Sequence, residues 1–201
     1  MQKITTSVLL TCGNAEYFPD SDGIKNKALL PVNGQSLFEY TLKALCNSQV
    51  EKVFVIQDAD AHLENIGICH EKVIYANCKS INPSLAESLI CALETLIDFY
   101  GENELQRRYI MFVPCDIPLV KSKDFDTLIA QTINPEVDIY CTLINNGFLK
   151  ATFPERHFRS MYFKDFGGFY SQQALIFASG RLFKLNNPDG DLGRVSVCDR
   201  S

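Results

Sequence analysis

Short runs rich in β-branched and aromatic residues alternate with segments of helical period over the first two thirds of the chain. This alternation constrains the fold more than any other feature, because it is the pattern of a mostly parallel sheet covered by helices. The candidate strands are Ser7 to Thr11, Val53 to Gln57, Lys72 to Tyr75, Tyr109 to Val113 and Val137 to Leu143. Between the first two, Leu37, Tyr40, Thr41, Ala44 and Leu45 recur on one face of a 3.6-residue period, and Ser36 with Glu39 forms a capping box that starts the helix. A second box, Ser84 with Glu87, opens a helix whose expected buried stripe is Leu85, Leu89, Ala92, Leu93 and Leu96. A third helix is expected from Ser122, with Asp124 in its first turn and Phe125, Leu128 and Ile129 facing inward.

Beyond Leu143 the pattern changes. Asn145-Asn146-Gly147 reads as a turn, and Phe148 to Phe183 mixes aromatics, basic residues and Gly167-Gly168 without helical period, as expected of a smaller β-rich portion leaning on the main sheet. The segment Asn186 to Ser201 reads as loose or as the edge of an incomplete chain. A length of 201 residues at 46% hydrophobic favours one domain.

Charge and cysteine usage narrow the function classes. With 19 Lys plus Arg against 24 Asp plus Glu, a net charge of −5 and a pI near 5.2, nothing global favours nucleic acid or an anionic membrane. No apolar run is long enough to span a bilayer, and Val8-Leu9-Leu10 is too short for a signal-peptide core, so the expected location is the cytoplasm. The eight cysteines contain no C-x-x-C pair, and His62, His70 and His157 show no ligand spacing, which sets aside zinc knuckles, thioredoxin-type pairs, metallohydrolases and cysteine nucleophiles.

Ligands of an open α/β sheet bind outside the carboxyl ends of its strands. Two loops there carry chemistry. The loop after Thr11 contains Gly13, Gly23, Lys25 and Lys27, which could bring backbone amides and a positive charge to a phosphate; Asn26-Lys27 could equally be a solvated loop end. The loop after Val113 reads Pro114-Cys115-Asp116-Ile117-Pro118, where Asp116 could help to hold a hard cation or serve as a turn residue.

The order strand, glycine-containing loop, Lys-x-Leu-Leu-Pro, two capped helices, then strand-x-Asp-Ile-Pro resembles the MobA-like nucleotidyltransferase superfamily. Asn26 to Gly34, with Phe153-Pro154 and Gly167-Gly168, looks like a bacterial branch of it. The resemblance implies an α/β fold: a Rossmann-like, three-layer α/β/α domain of the GT-A or nucleotide-diphospho-sugar transferase type. Residues 1–143 would form its nucleotide-binding core, 144–185 its acceptor side and 186–201 a tail. It also implies transfer of a nucleotidyl group from an NTP to a small phosphorylated or hydroxylated acceptor, with Mg²⁺ as cofactor and pyrophosphate as product, and it leaves the oligomeric state open. On this resemblance Lys27 neutralises triphosphate oxygens, Asp116 is catalytic and binds the metal, and Thr11, Gly13, Lys25, Asn82, Ser84 and Ser88 contact the nucleotide. Arg156, Arg159 and Lys164 would approach the acceptor, although such a basic scatter can also be a solvated face.

Two departures stand against the pattern. Cys12 replaces a glycine and the loop's usual arginine is absent, while Glu16, Asp20 and Asp22 add negative charge that would repel a triphosphate. After Gly168 comes Phe169 in place of the superfamily's Asn or Asp, with Gln173 a more distant substitute. A non-catalytic nucleotide-binding or interaction module with a degenerate glycine loop is therefore the alternative, and a flavodoxin-like domain a third.

Overall fold

A computed structural model describes residues 5–15, 23–66, 68, 70–131, 137–157, 161–164, 168–179 and 195–200. Glu16, Asp20, Asp22, Arg159 and Gly167 lie outside the described residues.

The alternating pattern becomes one eight-stranded sheet. Its strands are β1 (Thr5–Leu10), β4 (Lys52–Gln57), β5 (Val73–Asn77), β6 (Tyr109–Pro114), β7 (Ile139–Asn145), β8 (Met161–Phe163), β9 (Gly168–Ser179) and β10 (Val195–Arg200). The order is β10-β7-β9-β6-β1-β4-β5, with β8 pairing β9. β1 pairs in parallel with both β4 and β6, Leu10 standing beside Ile56 on one side and Pro114 on the other. Among the described strands only β9 runs against this direction, antiparallel to β6, β7 and β8. A separate hairpin of β2 (Pro31–Val32) and β3 (Gln35–Ser36) turns through Asn33 and Gly34, both at positive φ, as a tight two-residue connection requires.

Helices cover both faces. On one, α1 (Leu37–Cys46) and α4 (Ser122–Gln131) bury Phe38, Leu42, Leu45, Phe125 and Leu128 against Leu9, Val53, Val55, Met111 and Val113. On the other, α2 (Leu85–Tyr100) and the short α3 (Glu102–Leu105) pack Ala92, Leu96 and Leu105 against Val8, Phe54, Ile56 and Ile110. Successive residues of β1 thus feed opposite layers, as a central strand buried on both faces must. Both capping boxes form as read: Ser36 accepts from the Glu39 amide, Ser84 from the Glu87 amide, and each glutamate reaches back to its serine's N–H. Among the described residues no helix is long and apolar enough to cross a membrane.

The periodicity chose the wrong flank of two helices. In α1 the buried positions are Leu37, Phe38, Thr41, Leu42, Leu45 and Cys46, so Phe38 and Leu42 replace Tyr40 and Ala44 at the centre. In α2 the buried positions are Ser88, Ala92 and Leu96, and Leu85 is 67% exposed. Both segments are apolar around much of their circumference, so more than one stripe fits the 3.6 period.

The later part of the chain also differs from expectation. Asn145-Asn146-Gly147 opens α5 (Asn146–Thr152): the Asn145 side chain accepts from the Gly147 amide as an N-cap. The β-rich portion does not lean on the sheet but enters it, β9 filling the place between β6 and β7. Val195–Arg200, expected to be loose, pairs in parallel with β7 as β10.

Candidate functional site

The carboxyl ends of β1, β4 and β6 lie side by side, and the loops leaving them converge. Thr11 closes β1: its N–H and its hydroxyl both donate to the Ile56 carbonyl, at 3.0 and 2.7 Å, and the residue is fully buried. The chain returns antiparallel to itself, with the Ala15 amide donating to Lys25 O at 2.8 Å and the Lys27 amide to Gly13 O at 2.6 Å. That return places a 3₁₀ turn, Lys27–Leu29, above Gly13.

Gly13 leaves the lysine room there. A Cβ at this position would stand 3.1 Å from Lys27 Cε, a tight contact that the lysine would have to relieve by shifting a few tenths of an ångström, and 3.4 Å from Lys27 Cβ. The lysine therefore runs along the glycine. Its ammonium then meets Asp116, just beyond β6, with Nζ to Oδ2 at 2.8 Å and side chains 24% and 37% exposed. The loop bearing Asp116 is held from two directions: the Cys115 amide donates to Leu10 O at 3.2 Å, and the Thr41 hydroxyl of α1 donates to Cys115 O at 2.9 Å. A half-exposed ion pair of this kind contributes only ~0–1 kcal/mol to stability, so a ligand that supplies better partners can take both groups at small cost.

The remaining sequence-derived residues are placed less directly. Lys25 points its side chain to solvent, its carbonyl serving the chain return. Asn82 is exposed in the left-handed region, which asparagine tolerates, and Ser84 caps α2. Ser88 is buried, its hydroxyl donating to Ser84 O at 3.0 Å and lying in hydrogen-bond contact with Cys12. The α2 start thus abuts the glycine loop, but Ser88 and Thr11 present no free hydroxyl donor. Arg156 is exposed after α5, its guanidinium 5.9 Å from the Phe153 ring centre, and Lys164 is exposed beyond β8. No hydrogen bond or ion pair among the described residues joins either to the Lys27–Asp116 pair.

The cysteines nearby are not reactive centres. Burial pushes the Cys12 thiol up to about 11, and burial with the neighbouring Asp116 charge pushes Cys115 up to about 12. At neutral pH both stay protonated and poorly nucleophilic. Cys12 and Cys78, whose sulfurs are 3.8 Å apart, form no disulfide.

Sequence reasoning missed two residues behind the lysine. Asn26 is 6% exposed, not a solvated loop end; its Oδ1 accepts from the Ala28 amide at 2.8 Å and its Nδ2 donates to both oxygens of Asp58 at 3.3 Å. Asp58 follows β4 at the same sheet edge, and burial raises its carboxyl above the usual range while the Asn26 amide partly opposes that rise. The strand-end rule that drew attention to the loops after β1 and β6 would have found Asp58 had it been applied to β4.

The family model described as a MobA-like NTP transferase domain matches residues 8–200. Among solved structures, a hypothetical transferase from Thermus thermophilus superposes with a TM-score of 0.64 at 18% identity, over 89% of this chain and 67% of that one. The 4-diphosphocytidyl-2C-methyl-D-erythritol synthase of Anaerococcus prevotii gives 0.64 at 10% identity, over 98% and 87%. A CMP:2-keto-3-deoxy-manno-octonic acid synthetase complexed with CTP gives 0.59 at 12% identity, over 90% and 76%. At such identities the likeness is one of fold. No curated protein matches the chain in sequence.

Proposed function

Because the chain belongs to the MobA-like NTP transferase domain family, we propose that it transfers a nucleotidyl group from an NTP to a small phosphorylated or hydroxylated acceptor. An acceptor oxygen would bond to the α-phosphorus as the bond to the bridging oxygen of the β-phosphate breaks, and pyrophosphate would leave with that electron pair. Such a reaction needs positioning and charge neutralisation rather than a covalent intermediate. The observation that carries the reading is the Lys27–Asp116 pair, 2.8 Å apart and open to solvent, at the edge where an α/β sheet binds ligands.

On this reading Lys27, held along Gly13, donates to triphosphate oxygens in place of Asp116. Asp116 is then released to help hold Mg²⁺. Its donor chemistry fits: it is a hard, partly exposed carboxylate. Mg²⁺ is commonly held in this way, by one or two carboxylates together with substrate phosphates. When bound, it would neutralise phosphate charge. Asn82 and Ser84 stand at the start of α2 to face the base, and Arg156 and Lys164 are candidates for an anionic acceptor. The NTP would come from the cytoplasmic pool.

One observation favours a second reading, a nucleotide-binding module without catalysis. The Gly13 and Ala15 amides and the Thr11 hydroxyl are all engaged within the protein, so this glycine loop offers fewer donors to phosphate than its sequence suggests. The two readings separate in a pyrophosphate-release assay with Mg²⁺, each of the four NTPs and a panel of sugar phosphates and polyols. Release by the wild type that disappears in Asp116→Ala supports transfer. Saturable NTP binding with no release across the panel supports the module, and equal release by Asp116→Ala would remove that carboxylate from the reaction.

A further inference from the structure

Lys27 sits on a turn of three residues, too short to hold its own orientation by internal hydrogen bonds. What fixes it lies underneath. Asn26 uses both ends of its amide: Oδ1 caps the turn at the Ala28 N–H, and Nδ2 donates to the two oxygens of Asp58. Asp58 is anchored to the sheet, directly after β4, and is 6% exposed. From the other side the Lys27 amide is tied to Gly13 O. The turn is thus clamped between the ends of β1 and β4, and Lys27 is the first residue past the clamp. Because a carboxylate can only accept, Asp58 also dictates which way the Asn26 amide faces, leaving Oδ1 as the cap.

We propose that Asn26 and Asp58 are positioning residues that set the height of the Lys27 turn over the sheet edge, so that the ammonium lies along Gly13 and reaches the triphosphate position. The inference rests on the reading of Lys27 as a triphosphate ligand and adds the device that aims it. Neither residue touches substrate in this scheme. Their buried contact is polar and costly to leave half-made, so a change in one partner should be felt by the lysine.

A reciprocal exchange tests the pair in the full chain. Asn26→Asp sets two carboxylates against each other; adding Asp58→Asn restores a donor facing an acceptor, while the carboxylate at position 26 can still cap the Ala28 N–H. Two readouts are used: the NMR proximity of the Lys27 ε-protons to the Gly13 α-protons, and titration with Mg²⁺ and each NTP. Asn26→Asp is expected to lose the proximity signal and to weaken the best NTP by about tenfold or more, and the exchanged pair to recover both to within about threefold. Asp58→Asn alone, which keeps an acceptor for the Asn26 amide, is expected to fall between and stands in if Asn26→Asp does not fold. The proposal is overturned if folded Asn26→Asp, or Asp58→Asn in its place, matches the wild type in both readouts, or if the exchanged pair does no better than a folded Asn26→Asp. Should the wild type bind no NTP, the functional reading fails by itself and the proximity signal alone decides whether Asn26 and Asp58 aim the lysine.

Discussion

Two charge clusters stand at opposite ends of the same strands. Before β4 and β6, Arg108 is 6% exposed; it pairs with Glu51 and with Glu104 at 3.1 Å and stacks 3.9 Å from the Tyr100 ring centre. After β1 and β6, Lys27 meets Asp116 alone among the described residues, and both remain partly open to water. At the first, the arginine is enclosed and shared between two carboxylates that themselves stay partly exposed; at the second, a partly exposed ammonium faces a single partly exposed carboxylate. A charge surrounded by its own partners serves the structure, whereas a charge with one replaceable partner can serve a substrate.

That contrast can be broken by mutating each end. The largest expected effect is at the open end: Asp116→Ala should lower pyrophosphate release by about 10³-fold or more, and Lys27→Met by about 10²-fold or more, with urea midpoints close to wild type. A large loss of stability in either variant would contradict the division. At the closed end, Arg108→Met should cost about 2–3 kcal/mol in urea unfolding, below the usual cost of breaking a buried pair because the glutamates left behind are partly exposed. Its folded fraction should retain NTP affinity; a selective loss of affinity would mean that the two ends are coupled.

A subtler change sharpens the comparison. Gly13→Ala crowds Lys27 Cε at 3.1 Å, so NTP affinity should fall by about tenfold while stability moves by less than about 1 kcal/mol. Equal affinity would show that the ammonium does not depend on that groove. The smallest effect concerns pH. The Asp58 carboxyl titrates above its unfolded value, so between the two values the folded state holds a proton that the unfolded chain has released, and stability falls as pH rises through that window. Asp58→Asn should flatten this slope in urea titrations across pH; an unchanged slope would assign it to other groups.

The same contrast explains what the sequence made legible. Caps, strand runs and the parallel pattern are local, and Ser36, Glu39, Ser84 and Glu87 perform as their spacing demands. Lys27 and Asp116 were visible because each follows a strand within a recognisable run. The entry of β9 between β6 and β7 was not legible, since antiparallel insertion depends on long-range pairing that no local period records. The Asn26–Asp58 contact, 32 residues apart in sequence, was hidden for the same reason, and Asn26 beside a lysine reads as solvent-facing until β4 is placed beneath it.

The central claim is that Lys27 and Asp116 exchange each other for a metal-bound triphosphate. Calorimetric titration of the folded full chain with Mg²⁺ and each of the four NTPs, run in parallel on Asp116→Ala and Lys27→Met, tests it most directly. The account predicts saturable binding of at least one NTP by the wild type, losing its Mg²⁺ dependence in Asp116→Ala and most of its affinity in Lys27→Met. No binding of any NTP to the wild type, or equal binding by all three proteins, would contradict it.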